Sequence, residues 1–255
     1  MRKPENIIYR QITMGVFILL SCFVVFTGCE KSGTNCMTNA GPVVREVREI
    51  SDFDSIEMRD YVNLILIQDS VIKVEVETGK HLLSGIETRV TEHQLVIRNN
   101  NICNWLRSYA TPVNVYVTVK NLKKIYYNSS GNITTANPIT SKNLIIDVWG
   151  GAGTIDLDLN VHGFGYFVIN MGTVDIKLTG FCSISSIYSG DVGLIHAGEM
   201  ETGYTFVTNH SSNDVYVRAR QFLGATIESI GNIYFTGNPD TLDVRIKGKG
   251  EVIPY

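Results

Sequence analysis

Short segments in which apolar and polar residues alternate follow one another along the chain from about residue 44. Examples are VNLILIQ at 62–68, VIKVEVET at 71–78 and VNVYVTV at 113–119. Each segment is rich in β-branched residues and is bounded by Asn, Gly, Asp or Pro, which is typical of half-buried strands. The pattern therefore predicts an all-β chain.

The second half of the chain repeats one phrase, in which a turn of small residues is followed by Val or Ile and then by another strand. The stretches YYNSSGNITT at 126–135, SSIYSGDVGLI at 185–195 and IESIGNIYFT at 227–236 show it. Such self-similarity, with a period of about 20 residues, indicates a solenoid. The apolar residue after each turn occurs at Ile133, Ile155, Val174, Val192, Val215, Ile233 and Val252.

This period selects among the repeat folds. A propeller blade needs about 40 to 45 residues, and the Leu/Asn signature of leucine-rich repeats is absent. We therefore expect a parallel β-helix with one coil per repeat, in which equivalent strands stack about 4.8 Å apart. Aliphatic side chains should alternate inward, and Gly, Asn and Asp should occupy corners that need a positive φ or a tight bend.

The start of the chain predicts export. Basic residues in the first ten positions precede an apolar run at 14–26, which is too short to cross a hydrocarbon core of about 30 Å but suits a signal peptide. The run ends at FTGC, which resembles a bacterial lipobox, so we predict a signal peptide over 1–28 and lipidation of Cys29. An ordinary signal peptide or a single membrane anchor is the alternative.

The residues after Cys29 divide into two parts. Residues 29–43 are polar and lack periodicity, which is typical of a flexible tether, and 44–255 form the predicted β-helix domain. We expect an exported lipoprotein held at the outer membrane, on its periplasmic or its surface face.

The remaining cysteines and the charge exclude several functions. Cys36, Cys103 and Cys182 allow at most one disulfide, and their spacing does not fit a zinc site. A net charge of −3 offers no basic excess for nucleic acid. No motif predicts a cofactor or a metal.

Aligning the repeats predicts an exposed aromatic pair. Tyr216 and Tyr234 should lie one coil apart on the outer surface, with Arg218 nearby. Flat aromatic surfaces suit sugar rings, and Tyr and Arg are frequent interface anchors. The alternative is a stabilising cross-coil pair without a ligand.

An acidic face provides the second candidate site. Asp156 and Asp158 lie two residues apart on one strand, and the alignment places Asp175 beside Asp156 and Lys177 beside Asp158. Paired carboxylates could support glycan hydrolysis or lyase chemistry. A solvated strand face with one ion pair, worth about 0 to 1 kcal/mol, is the simpler interpretation.

Two stretches carry a family resemblance. SDFDSIEMRDYVNLILIQ at 51–68 and PVNVYVTVKNLKKIYYNSSGNI at 112–133 resemble the head GIN domain family, whose members are described as auto-transporter adhesins. The resemblance extends over about 44–252. It implies a right-handed, single-stranded β-helix in lipoproteins or secreted proteins of Gram-negative bacteria, and it implies no catalytic residue.

These patterns together favour a non-catalytic envelope lipoprotein that presents a β-helix for binding, adhesion or structural display. Its expected partners are the membrane, through the lipid, and a glycan or an envelope protein. The first alternative is a carbohydrate-active enzyme that uses the acidic face. The second is an assembly protein that stacks its last coil, near EVIPY at 251–255, on another protein.

Overall fold

The computed structural model describes residues 39–101 and 111–255, and their regular structure is β-strand apart from one 3-10 turn, Leu83–Gly85. The predicted signal peptide, Cys29, Cys36 and Cys103 lie outside these residues. Seventeen strands form one sheet of mixed orientation: β1 (Val43–Arg48), β2 (Ser55–Asp60), β3 (Asn63–Gln68), β4 (Lys73–Gly79), β5 (Ile86–Thr91), β6 (Gln94–Asn99), β7 (Asn114–Val119), β8 (Lys124–Ser129), β9 (Ile133–Thr135), β10 (Ile139–Ser141), β11 (Leu144–Ser189), β12 (Ile195–Asn209), β13 (Val215–Arg218), β14 (Phe222–Ile227), β15 (Ile233–Thr236), β16 (Thr241–Ile246) and β17 (Val252–Pro254).

Strands β8 to β17 pair with one another in parallel. The paired residues are 18 to 22 positions apart in sequence, as in Ile133 with Ile155, Val215 with Ile233 and Ile233 with Val252. These offsets agree with the predicted period. We use "coil" below for one such step of about 20 residues.

Inward aliphatic side chains lie above one another from coil to coil. Ile176 pairs with Ile195, Ile195 with Val215, and the ladder continues through Ile233 to Val252. Four of these side chains are buried, and that of Val252 is partly buried against the core. Parallel strands that stack apolar side chains in this way bury a continuous core.

The predicted ladder is wrong at Val192. Val192 is 45% exposed and lies in the bend before β12, whereas Ile195, three residues later, is fully buried. The Asp191 carboxylate accepts hydrogen bonds from the N–H groups of Gly172 and Val192, at 2.8 and 2.9 Å. This bond within the turn holds Val192 at the corner, so the inward position falls three residues later.

The predicted positive φ occurs at glycines of the repeated turns such as Gly151 and Gly172, and the Asn and Asp of the turn phrase have a second cause. The side chain immediately before an inward aliphatic residue accepts the backbone N–H at the equivalent position of the next coil. Asn132 Oδ1 accepts from Thr154, and Asn232 Oδ1 accepts from Glu251, at 3.0 and 2.9 Å. Asp175 and Asp214 act in the same way, at 3.1 and 2.8 Å.

These corner residues do not need an unusual backbone. The non-glycine residues with positive φ in the described chain are Asp60, Glu92, His93 and Asn238, and none of the four corner residues is among them. Asn and Asp are therefore selected here for their side-chain oxygens. The glycine in SGN is needed for close approach, because a Cβ at Gly131 would lie 1.8 Å from the carbonyl oxygen of Val62.

The first strands of the chain close the other end of the sheet with antiparallel pairs. Strand β1 pairs antiparallel with β4, β4 with β7 and β5 with β6, so the expectation of parallel neighbours throughout 44–255 does not hold here. Glu92 and His93, with φ of 51° and 62°, form the two-residue connection between β5 and β6. Positive φ at both positions is the geometry of a tight hairpin, which reverses the chain and prevents another parallel coil.

We predict that Ile195 and Val192 differ sharply in their contribution to stability. Ile195→Ala should lower the free energy of unfolding by about 2 to 5 kcal/mol, because it leaves a cavity in the stacked core. Val192→Ala should change the free energy of unfolding by less than about 0.5 kcal/mol, because its side chain is half exposed. Urea denaturation followed by circular dichroism would measure both, and equal losses would contradict the observed ladder.

Candidate functional site: an outward aromatic row

The inward ladder determines which side chains face outward beside it. Because Ile195, Val215 and Ile233 point into the core, the residues that follow them point out. His196 pairs with Tyr216, and Tyr216 pairs with Tyr234. We call these three side chains the aromatic row.

The rings of the aromatic row stack face to face. The centroids of His196 and Tyr216 are 4.9 Å apart with planes at 14°, and those of Tyr216 and Tyr234 are 5.0 Å apart at 11°. Both faces of Tyr216 are therefore covered by neighbouring rings. A sugar cannot stack on this ring, and only its edge and hydroxyl remain available.

Tyr255 supplies the flat surface that the row lacks. Its ring is nearly perpendicular to those of Tyr216 and Tyr234, at 87° and 85°, with centroids 5.7 and 6.3 Å away. Because both faces of Tyr216 are occupied by the neighbouring rings, Tyr255 lies beside the edge of that ring. Tyr255 is 59% exposed.

Two backbone features hold Tyr255 in this position. Its N–H donates to the carbonyl oxygen of Phe235, at 3.0 Å. Its hydroxyl lies against Gly198, where an added Cβ would come within 1.9 Å of it. Partial burial raises the pKa of the Tyr255 phenol above its ordinary value.

Charged groups surround a groove of about 390 Å³ beside the row. Lys177, Glu199 and Thr236 line it together with His196, Tyr216 and Tyr255. The ammonium group of Lys177 lies 3.7 Å from the Glu199 carboxylate, so the two charges partly offset each other. The groove therefore combines aromatic surface with exposed donors and acceptors.

Arg218 lies at the edge of this surface, as the alignment predicts, on the strand position paired with Thr236. Its Nη2 is 3.7 Å from the Glu201 carboxylate, which Arg220 approaches more closely, at 3.0 Å. Its Nε is buried, and no acceptor lies within hydrogen-bonding distance of it among the described residues. The guanidinium group is therefore held by packing as much as by its ion pair.

The backbones of two acidic candidates pair with the preceding coil, and the carboxylate of the third holds a corner. Asp156 pairs in register with Thr134, and the Asp158 N–H donates to the Thr135 hydroxyl. Asp175 accepts the Leu194 N–H at the corner described above. Within 39–101 and 111–255, no three His, Cys, Asp or Glu side chains are grouped so that they could hold a metal ion.

A second aromatic surface was not anticipated from the sequence. Ile184, Tyr204 and Phe222 occupy successive coils in register, and with Phe181 and Gln221 they surround or adjoin a groove of about 540 Å³. The repeats align on the strand that follows each turn, whereas these residues lie on the strand that precedes it. Aligning the preceding strands in the same way would have placed these residues side by side.

The family model described as "Putative auto-transporter adhesin, head GIN domain" matches residues 52–239. This chain belongs to the head GIN domain family. The match includes β2 to β15 and therefore Tyr216 and Tyr234, but not Tyr255. The resemblance expected from the sequence is thus confirmed.

Three solved structures share the fold of this head GIN domain. A putative adhesin from Bacteroides fragilis has a TM-score of 0.75 at 19% identity, covering 84% of this chain and 97% of the other. A putative lipid binding protein from Parabacteroides distasonis has a TM-score of 0.63 at 20% identity, with coverages of 84% and 97%. A putative adhesin from Parabacteroides merdae has a TM-score of 0.57 at 18% identity, with coverages of 85% and 98%.

Other comparisons add little to this assignment. No curated protein matches the chain significantly. In the residues that the structure describes, no helix has the length and apolar character needed to span a bilayer.

The described cysteine is not a reactive group. Cys182 is fully buried and free, and its thiol donates to the carbonyl oxygen of Ile184 at 3.2 Å. Burial raises the pKa of this thiol to about 11, because the thiolate would lose its hydration.

We predict that Cys182 resists alkylation in the native protein. Treatment with iodoacetamide at pH 8 should leave it unmodified, whereas treatment in guanidinium chloride should modify it completely. Peptide mass spectrometry would measure both. Native-state alkylation as fast as that in the unfolded chain would contradict the burial of this thiol.

Proposed function

We propose that this head GIN domain protein is a lipid-anchored, non-catalytic binding module of the cell envelope. In this proposal, a right-handed parallel β-helix presents the aromatic row and Tyr255 to a glycan. The observation that carries the proposal is the exposed ring of Tyr255, which the stacked rings of Tyr216 and Tyr234 contact at nearly a right angle.

The β-helix part of the proposal rests on the pairing of β8 to β17. Parallel partners at offsets of 18 to 22 residues on several faces are what a chain winding in stacked coils produces. The right hand follows from the strong preference for right-handed crossovers between parallel strands. The antiparallel strands β1, β4 and β5 then form a cap on the first coils.

The glycan part of the proposal follows from surface chemistry. The apolar face of a sugar ring packs on an aromatic face, and its hydroxyls need donors and acceptors at the edge. Tyr255 provides the face, while Lys177, Glu199 and His196 provide polar groups beside it. The stacked rings hold Tyr255 in position before binding, so little conformational entropy is lost on association.

The third part of the proposal is attachment of this domain to the membrane through the lipid on Cys29. A flexible tether over 29–43, as the sequence predicts, would have a root-mean-square length of about 20 Å. The chain enters the fold at β1, and the aromatic row lies on the last coils. Anchoring at Cys29 would therefore attach the lipid through the β1 end of the sheet, whereas the aromatic row lies on the last coils.

We predict that loss of Tyr255 weakens glycan binding by about tenfold, since a lost aromatic contact of up to about 1.5 kcal/mol corresponds to that factor. Tyr216→Ala and Tyr234→Ala should weaken it similarly by removing the support of Tyr255. Glycan-array screening followed by calorimetry on the best ligand would measure these effects.

Two control variants make this experiment specific. Tyr216→Phe keeps the stack and should retain more binding than Tyr216→Ala, and Tyr166→Ala removes an exposed tyrosine that lies on another part of the surface and should bind like the native protein. The proposal fails if the native domain binds no glycan, or if Tyr255→Ala binds unchanged. Release of reducing ends from a bound glycan would instead favour the acidic face of Asp156, Asp158 and Asp175.

We predict that Cys29→Ala releases the protein from the membrane, because the diacyl chain provides the anchor. Membrane fractionation and mass spectrometry of the first mature peptide would measure this loss. Cys36→Ala is the matched control and should stay in the membrane fraction. Retention of Cys29→Ala in that fraction would refute lipid anchoring at this residue.

A further inference from the structure

The last described coil exposes a layer of the core. Within the described chain, β16 pairs only with β14. Its inward residues Leu242, Val244 and Ile246 are 46%, 39% and 55% exposed, whereas their partners on the preceding coil are buried. Those partners are Leu223, Ala225 and Ile227.

The same strand also offers an open row of backbone groups. In a parallel ladder, both polar backbone groups of one residue face one neighbouring strand, and those of the next residue face the other. The N–H groups of Thr241 and Lys247 donate to carbonyls of Gln221 and Ile227, at 3.0 and 2.8 Å. The backbone N–H and C=O groups of Leu242, Val244 and Ile246 therefore point away from β14, towards the open side.

Strand β17, the other strand at this end, is protected. The Tyr255 N–H donates to Phe235, so Pro254 directs its nitrogen to the open side. Proline has no N–H, and natural proteins use it on edge strands to prevent pairing. No proline or inward-pointing charge occupies β16, so the two edges of the last coil differ.

We propose that β16 pairs antiparallel with β16 of a second copy of this chain, with Val244 opposite Val244 of the partner subunit. A two-fold axis through this point satisfies the open N–H and C=O groups of all three inward residues on both strands. It also places Leu242 opposite Ile246 of the partner subunit, so the two exposed core layers meet.

Charge selects this register. With Val244 at the centre, Asp243 lies opposite Arg245 of the partner subunit, and this attraction occurs twice. These side chains lie on the outer face, where they form an intramolecular contact of 3.1 Å in a single chain. Opposite charges on directly facing strand positions stabilise a sheet.

The neighbouring registers lack this match. Centring the pair on Asp243 or on Arg245 would place two like charges opposite each other, which is destabilising. Centring it on Ile246 would place Arg245 opposite the partner's Lys247. Centring it on Leu242 would place Asp243 opposite an uncharged threonine and would shorten the paired segment.

Sedimentation equilibrium of the mature chain tests this dimer. The native protein should show a reversible monomer–dimer equilibrium. Asp243→Arg and Arg245→Asp should each weaken self-association at least tenfold, because each creates two like-charge pairs. An equimolar mixture of the two variants should recover association as a heterodimer, since each strand then carries one sign of charge.

Further variants separate this interface from other effects. Val244→Pro removes an N–H on the open side without breaking a bond to β14, and it should abolish dimerisation while the unfolding midpoint stays near the native value. Lys249→Asp makes the same charge change on the same coil, outside β16, and should dimerise like the native protein.

Three results would overturn the proposal. The native protein could remain monomeric at concentrations up to about 1 mM. The single charge variants could dimerise as well as the native protein, which would place the interface elsewhere. The equimolar mixture could fail to recover association, which would exclude the Asp243–Arg245 match.

Discussion

The structure depends on one contact made again at every corner, where a side-chain oxygen of one coil accepts a backbone N–H of the next. Asn132, Asp175, Asp214 and Asn232 make it, each just before an inward aliphatic residue. The bond satisfies a backbone N–H that has no strand partner at the bend. It also keeps the aliphatic residues that follow stacked from coil to coil. The outward side chains are then aligned as well, so the positions of His196, Tyr216 and Tyr234 follow from this corner contact.

Such alignment gives the surface a rigidity that isolated loops lack. Each ring of the aromatic row is held by a ring of the neighbouring coil, and Tyr255 is held by the edges of two of them. The face-to-face contacts within the aromatic row therefore stabilise the scaffold. Only the outermost surface of this group of rings remains available for a ligand. In this protein, the same aromatic residues can contribute to stability and to recognition, on different sides of the rings.

The sequence alone predicted the all-β class, the 20-residue period and the neighbouring positions of Tyr216 and Tyr234, because strand alternation and repeat length are local signals. It misplaced the ladder at Val192, where an aspartate bond within the turn changes the length of the corner. It also missed the hairpin at Glu92 and His93, since neither residue type is typical of a tight turn. The position of Tyr255 could not be predicted, because it depends on the space that Gly198 leaves on a neighbouring coil.

The two ends of the sheet differ in structure, so the domain is polar along the stack of strands. Antiparallel strands complete the end where the chain enters, and the last coil leaves β16 open. If two copies meet through β16, their β1 strands lie at opposite ends of the pair. Such a pair suits two molecules that approach each other from facing surfaces better than two neighbours standing side by side on one surface.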